Sequence, residues 1–462
     1  MPHAPLVLIV ADGLRPDTLD AAISARAVPA LARLRDEGGA HVLTTCFPSV
    51  TGLAYAPFLM GKHPADVGLT GLRWLDRSHQ RARIPAHARS YVGGGARALD
   101  GDLDPASPTL FELAQPSLGA MSLIMRGLAP SQRIARGYRW GLRGLRTHFF
   151  GSLTHWLDMD ADVADIVAHR VRHERPRFTL AALLGIDKAS HARGHASQEV
   201  TRALEIVDRL VARLRTEAQA DGVPLCVWVV SDHGHAPVTN HDELADVVRA
   251  TGERVIAHPW VIGARGTVAV MVGGNAMAQL YLEPGRRDAP GWSALASRWQ
   301  PLASALLERP SVDLLIRREG PGHCSVHAAG RGHAIVRAEG RGAHECVVHE
   351  HASGDPLNIP AGRFDPAEAW HVAKRSAYPD ALVQLARLMA SPRVGDLVLS
   401  AAPGWDFRAR YEPTPHVSTH GALHRDQMRV PLLLDAPPPW TPRRTTDVMT
   451  LAREALGIAP NA

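Results

Sequence analysis

Cysteine and lysine are scarce in this chain of 462 residues. Four cysteines, Cys46, Cys226, Cys324 and Cys346, are too few and too scattered for a disulfide framework. The only lysines are Lys62, Lys188 and Lys374, so the 51 cationic residues are nearly all arginine. An arginine bias without blocks of like charge reflects coding-sequence composition rather than a ligand. With 46 acidic residues the net charge is only +5. No basic block with interleaved aromatics is present, which argues against a polymeric nucleic acid as substrate. Long apolar runs are missing as well. "MPHAPLVLIVADG" is too short to span a bilayer and has no basic leader before it, so no membrane span is expected and the cytoplasm is the default location.

What is present is the composition of a globular α/β protein, 45% hydrophobic and 21% charged. "LVLIVAD", "TLAALLGID" and "LCVWVVSD" are apolar runs that each close on an aspartate: Asp12, Asp187 and Asp232. Runs of that kind read as buried parallel strands. Amphipathic stretches such as "SQEVTRALEIVDRLVARLRTEAQ" lie between them, which predicts a doubly wound, mostly parallel sheet with helices on both faces. Ligands of such sheets bind at the carboxyl ends of the strands, so three carboxylates are expected on one rim.

The texture changes between residues 251 and 395, where short strands, Gly-rich turns and two helical stretches suggest an inserted α+β cap. The catalytic core is expected over 1–250 and again over 396–462, resuming near "GDLVLSAAPGW" and closing with "VPLLLDAP". The stretch 77–103 reads as irregular surface. "IMRGLAPSQRIARGYRWGLRGLRTHFF" reads as a helical hairpin with a solvated arginine face, with a lid or membrane-facing segment as the other reading. The six histidines and two cysteines between His323 and His351 lack metal-ligand spacing and read as strands.

Chemistry concentrates at the strand ends. Asp187 and His191 form a D-x-x-x-H pair, Asp232 and His233 are adjacent in "SDHGH", Asp12 closes the first strand, and His420 precedes the last apolar run. One aspartate at a strand tip is ordinarily a helix cap, and one histidine beside glycine is ordinarily a solvated loop residue. Three carboxylates and three imidazoles at successive strand ends are a donor set suited to zinc, which takes nitrogen and oxygen ligands.

These pieces, "VADGLRPD", "FPSVTGLAYAPFLMGKHP", "GIDKASH", "SDHG" and "STHG", together resemble the alkaline phosphatase superfamily, most closely its type I phosphodiesterase/nucleotide pyrophosphatase branch. The resemblance runs from Asp12 to His420 and omits the cap. It implies two divalent metal ions, read as zinc. One is held by Asp12, Thr51, Asp232 and His233, the other by Asp187, His191 and His420. It also selects a nucleophile among Cys46, Ser49 and Thr51. The family's nucleophile lies ten residues before the glycine that closes the following helix, here Gly61, which gives Thr51. An in-line attack by Thr51 then forms a phosphothreonine that water hydrolyses, with the amide of Gly52 helping to neutralise the phosphoryl oxygens. A free hydroxyl is a weak nucleophile, and metal coordination is the activation this donor set can supply.

Three departures bear on the reading. "CFPSV" approaches the sulfatase C-x-P-S-R signature, but Val50 replaces its arginine and the helix spacing is wrong. Pro57 interrupts a stretch otherwise read as the first turns of a helix. Val67 stands before Gly68 where the family often has a histidine. Lys188, between two ligands, is a candidate contact for a substrate phosphate. The expected activity is hydrolysis of a small phosphate ester, nucleotide or phosphoanhydride. A phosphomonoesterase, a phosphonate hydrolase and a non-catalytic binding protein on the same fold are the alternatives, and a mutase is weaker because its serine nucleophile is missing.

Overall fold

The computed structural model describes residues 3–79, 88–257, 265–340, 342–407 and 416–459. A seven-stranded sheet forms the centre. From one edge it runs His41–Thr44, Arg429–Leu433, Cys226–Val230, Leu6–Ala11, Phe178–Leu183, Ser117–Ala120 and Arg133–Ile134. Only Arg429–Leu433 opposes the other strands. The three apolar runs that end in aspartate are therefore neighbours, with Leu6–Ala11 in the middle.

Alternation along Leu6–Ala11 explains why the run is apolar throughout. Leu6, Leu8 and Val10 face a cluster containing Tyr55, Phe58, Met271 and Tyr281. Val7, Ile9 and Ala11 face Val163, Val167, Leu204 and Val207 from two long helices, Leu153–Glu174 and Gln198–Ala220. Both faces of the strand are covered, and each aliphatic side chain so buried contributes about 1.5–3 kcal/mol. The second helix starts where Ser197 Oγ accepts from the amide of Val200, an N-cap, and buries Val200, Ala203, Leu204, Val207, Leu210, Val211 and Leu214 along one face.

A second, nine-stranded sheet takes the segments from Val255–Ile256 to Gly362–Phe364, antiparallel except for its first pair. Leu397–Ala401 lies inside it, between Met277–Leu282 and Val312–Gly320. The strand of "GDLVLSAAPGW", where the core was expected to resume, is thus part of this sheet. The chain returns to the central sheet only at Arg429–Leu433. An antiparallel strand buried on both faces is as apolar as a parallel one, and composition does not separate them.

Other expectations change in detail. The stretch 77–103 is ordered where described: Ala88–Ser90 pairs with Arg73–Leu75, and Arg77 is buried against Asp396 at 2.6 Å. Residues 80–87 lie outside the described residues. The basic segment expected as a helical hairpin is one helix, Tyr138–Phe150, preceded by a turn and the edge strand Arg133–Ile134. The His-rich stretch forms the strands His323–Ala328, Gly332–Glu339 and Cys346–Gly354. "TGLAYAPFLMG" is not one helix: a 3-10 turn, Leu53–Tyr55, precedes a five-residue helix, Ala56–Met60. Pro57 sits in the first turn of that helix, where the missing N–H has no acceptor to serve.

Candidate metal centre and nucleophile

Register sets the rim. Ala11 pairs with Leu183, and Val10 with Val230, so Asp12 and Asp232 emerge side by side two residues beyond the last pair. The amide of Gly13 donates to Asp232 Oδ1 at 3.3 Å and that of Leu14 to Ser231 Oγ at 2.9 Å. Gly13 has φ +78, and a Cβ there would lie 2.9 Å from the His235 ring. Both the turn and the close approach require glycine.

Asp187 and His191 lie on the helix Gly185–Arg193, one turn apart and on one face. Two backbone amides at the start of this helix donate to Asp160, Leu184 N to Oδ1 at 3.1 Å and Gly185 N to Oδ2 at 2.6 Å. His420 follows Ser418–Thr419, which pairs with Ala236–His241 in a small three-stranded sheet and so ends beside His235.

Two groups of donors result. In the first, Thr51 Oγ1 is 3.2 Å from Asp12 Oδ1 and 2.9 Å from His233 Nε2. His233 Nε2 is 3.3 Å from Asp12 Oδ1 and 3.6 Å from Asp232 Oδ2. In the second, Asp187 Oδ1 is approached by Nε2 of His235 at 3.0 Å, His191 at 3.2 Å and His420 at 3.6 Å. The groups adjoin, since the rings of His233 and His420 stack with centroids 3.7 Å apart. All seven residues expected as ligands are brought together.

The other candidate nucleophiles are engaged elsewhere. Ser49 Oγ donates to the Ala422 carbonyl at 3.1 Å and accepts from the Gly421 amide at 3.2 Å. Cys46 is buried, and burial pushes its thiol up to about 12, so it remains protonated. Thr51 alone of the three faces Asp12 and His233. Gly52 follows with φ +87, a conformation glycine adopts without strain, and a Cβ there would lie 2.2 Å from Leu123 Cδ1. Lys188 Nζ donates to Asp187 Oδ2 at 2.7 Å and lies 5.7 Å from the Trp156 ring.

The donor set fits a pair of cations. His191 Nδ1 is 2.8 Å from the Ser418 carbonyl and His420 Nδ1 2.9 Å from that of Ser49, contacts that fix each ring with Nε2 toward Asp187. A histidine whose Nδ1–H is bound to a carbonyl presents a free lone pair at Nε2, the arrangement of a metal ligand. Asp232 Oδ2 is buried with no hydrogen-bond partner among the described residues. Three buried carboxylates within one rim repel one another. Burial, and next the charge of Asp12, push Asp232 up to about 8. Burial acts to lower His233, but Asp232 and Asp12 overcome it and raise the imidazole to about 9. Protons there occupy the place of positive charge that bound cations supply. His235 is driven down to about 3 by burial in spite of its bond to Asp187, and His420 well below its ordinary value by burial and then His233, so both rings are neutral.

Sequence reading missed three residues here. His235 stands two positions after His233 in "SDHGH", and its spacing was the available signal. His416 stacks on His191 with centroids 4.1 Å apart and its Nδ1 lies 2.8 Å from Asn275 Nδ2, one turn's spacing before His420. Asp160 sits in mid-helix between Asp158 and Asp162, and nothing local sets it apart from them. A further trio, His349, His351 and Asp355, lies in the second sheet, where His349 Nδ1 and His351 Nε2 are 3.1 and 2.9 Å from the carbonyls of Pro360 and Ile359. These contacts agree with a structural role in the strand.

Fold and rim define the class, an alkaline-phosphatase-like hydrolase. More particularly, the sequence matches the type I phosphodiesterase/nucleotide pyrophosphatase family over residues 6–423, and the chain belongs to that family of metal-dependent phosphoester hydrolases. No curated protein sequence matches it. Among solved structures, phosphonoacetate hydrolase from Sinorhizobium meliloti 1021, in complex with phosphonoacetate, superposes with a TM-score of 0.58 at 17% identity, covering 98% of this chain and 96% of that one. Murine ectonucleotide pyrophosphatase/phosphodiesterase 5, an inactive threonine-to-alanine variant in complex with AMP, gives 0.59 at 12% identity over 99% and 96%. The human protein gives the same values. At these identities the likeness is one of fold.

Proposed function

We propose that this chain is a phosphodiesterase or nucleotide pyrophosphatase that works through a phosphothreonine at Thr51. The observation that carries the reading is the position of Thr51 Oγ1 between Asp12 Oδ1 and His233 Nε2, at 3.2 and 2.9 Å. Asp12, Thr51, Asp232 and His233 would hold one divalent cation, and Asp187, His191 and His420 a second, with zinc suited to both sets. When bound, such ions neutralise charge on the attacking and leaving oxygens and favour the alkoxide of a coordinated hydroxyl.

Thr51 gives up its hydroxyl proton toward Asp12 Oδ1, and its oxygen attacks phosphorus. The P–O bond to the leaving alcohol or phosphate breaks as the Thr51 O–P bond forms. Water then attacks the phosphothreonine, releasing a phosphate monoester and restoring the hydroxyl. Gly52, next to the nucleophile, would offer its amide to a non-bridging oxygen. Lys188 pairs with Asp187 at 2.7 Å, and its side chain, 31% exposed, would be a contact for a substrate phosphate. Domain roles follow: residues 1–250 and the closing segment, from His420 through Arg429–Leu433, would supply the chemistry, and the nine-stranded sheet, with Leu397–Ala401 inside it, would shape access to it.

The test is hydrolysis of bis-p-nitrophenyl phosphate and p-nitrophenyl phosphate by zinc-loaded wild type and Thr51→Ala, with metal content measured on both. Faster cleavage of the diester, and a variant that holds metal but does not turn over, are expected. A preference for the monoester, or for a phosphonate, moves the substrate class. Full activity in Thr51→Ala removes the nucleophile assignment.

A further inference from the structure

The helix Tyr138–Phe150 is turned inside out. On a wheel of 100° per residue, Tyr138, Leu142, Leu145 and Phe149 fall within about 60° of one another. A surface helix ordinarily buries such a stripe, but these four residues are 42–81% exposed, and Phe150 is 89% exposed. The side that meets the protein is the opposite one, where Trp140 packs on the core and Thr147 is buried. Arg139, Arg143 and Arg146 form a row flanking the apolar stripe, and no acidic residue occurs between 138 and 150. Arg143 pairs with Asp162, while Arg139 and Arg146 have no ion pair among the described residues.

Both ends of the helix are tied to the catalytic rim. It begins four residues after Ile134, whose strand is parallel to Ser117–Ala120 and so ends on the rim side. The next helix starts at Leu153 and brings Trp156 to within 5.7 Å of Lys188 Nζ.

We propose that this helix docks the protein on an anionic lipid bilayer, lying in the plane of the interface with its apolar stripe among the acyl chains and its arginines on the headgroups. Thirteen residues make about 20 Å of helix, long enough to lie in an interface and too short to cross it. No helix among the described residues is long and apolar enough to cross a membrane. A second copy of the chain is a poorer occupant, because pairing the stripe with itself brings two rows of arginines together. A nucleic acid would satisfy the arginines and leave the stripe in water. Docking in this way sets the rim of the active site against the membrane surface. The proposal does not depend on the catalytic assignment of Thr51.

The experiment is flotation of the intact protein with vesicles of phosphatidylcholine alone or mixed with phosphatidylglycerol. Binding to the mixed vesicles is expected, with little to phosphatidylcholine alone and release at about 0.5 M salt, where screening acts within a few ångströms. Leu145→Glu with Phe149→Glu should abolish binding. Arg139→Gln with Arg146→Gln should weaken partitioning about twenty-five-fold, a factor of about five for each arginine. All of these side chains are exposed, so both variants should keep the wild-type melting temperature, and Thr51→Ala should bind vesicles as wild type does. Equal binding to both vesicle types, absence of binding at low salt, or unchanged binding by the folded variants overturns the proposal. So does a dimer in sedimentation velocity that Phe149→Glu dissolves while vesicles are ignored, since the occupant is then a second copy.

Discussion

Asp160→Asn offers a sharp test of how the second group of candidate donors is held. Asp160 is 2% exposed and its two oxygens accept the amides of Leu184 and Gly185, fixing the start of the helix that carries Asp187 and His191. Burial, opposed by those two bonds and reinforced by the charge of Asp12, raises its carboxyl from 3.8 to about 7. The sign follows from the direction of the shift. A carboxyl whose folded value lies above its unfolded one binds its proton more tightly in the native state, so its contribution is complete below about pH 4 and is lost as pH rises through 7. A displacement of about three units corresponds to about 4 kcal/mol.

Asparagine stays neutral over this range. Its amide oxygen can accept one of the two N–H groups, and its NH2 faces the other, at a cost of about 1–3 kcal/mol relative to the wild type in acid. The two stability curves should therefore cross between about pH 4.5 and 6, with the variant the more stable protein above the crossing. Urea unfolding of chelator-treated wild type and variant from acid to pH 8 measures the difference directly, and titrating groups remote from Asp160 cancel between the two proteins. A difference that does not change with pH refutes the account of Asp160 as a buried carboxyl with a raised pKa. Asp160→Ala, which leaves both amides without the acceptor, should be destabilised by about 2–5 kcal/mol in acid, a deficit that shrinks by about 4 kcal/mol as the wild-type carboxyl loses its proton with rising pH.

His235→Ala removes the 3.0 Å contact to Asp187 and should weaken metal binding about 10–100-fold, read by competition with a chromogenic chelator; an unchanged affinity dismisses a positioning role for this ring. Cys46→Ala should keep diester hydrolysis within about twofold, since the buried thiol stays protonated and the proposed nucleophile is Thr51; loss of turnover with metal retained would bring back a sulfatase-like role for the cysteine. Removing metal with a chelator should abolish turnover and lower the melting temperature, because three buried carboxylates lose their counter-charge, and zinc should restore both.

What could be read from the sequence, and what could not, divides by the range of the interactions. Leu6–Ala11, Phe178–Leu183 and Cys226–Val230 announce themselves because a strand covered on both faces must be apolar at every position, and the aspartates that end them stand out against that run. Leu397–Ala401 is apolar for the same reason in a different sheet, so composition alone does not tell which sheet it joins. The break at Pro57 was visible, but its consequence depends on whether the proline falls in the first turn or the interior, and that is decided by where Gly52 ends the preceding loop. Asp160 is the instructive miss. It lies between Met159 and Ala161 in a helix of ordinary pattern, and its importance comes only from the amides of residues 184 and 185, twenty-four and more positions away. The reversed helix is the opposite case: the apolar stripe of Tyr138–Phe150 was legible, and a stripe normally predicts burial. Only the packing of Trp140 and Thr147 on the other side shows that this one faces outward, so the same periodicity that locates a core elsewhere in the chain here marks a surface still in need of a partner.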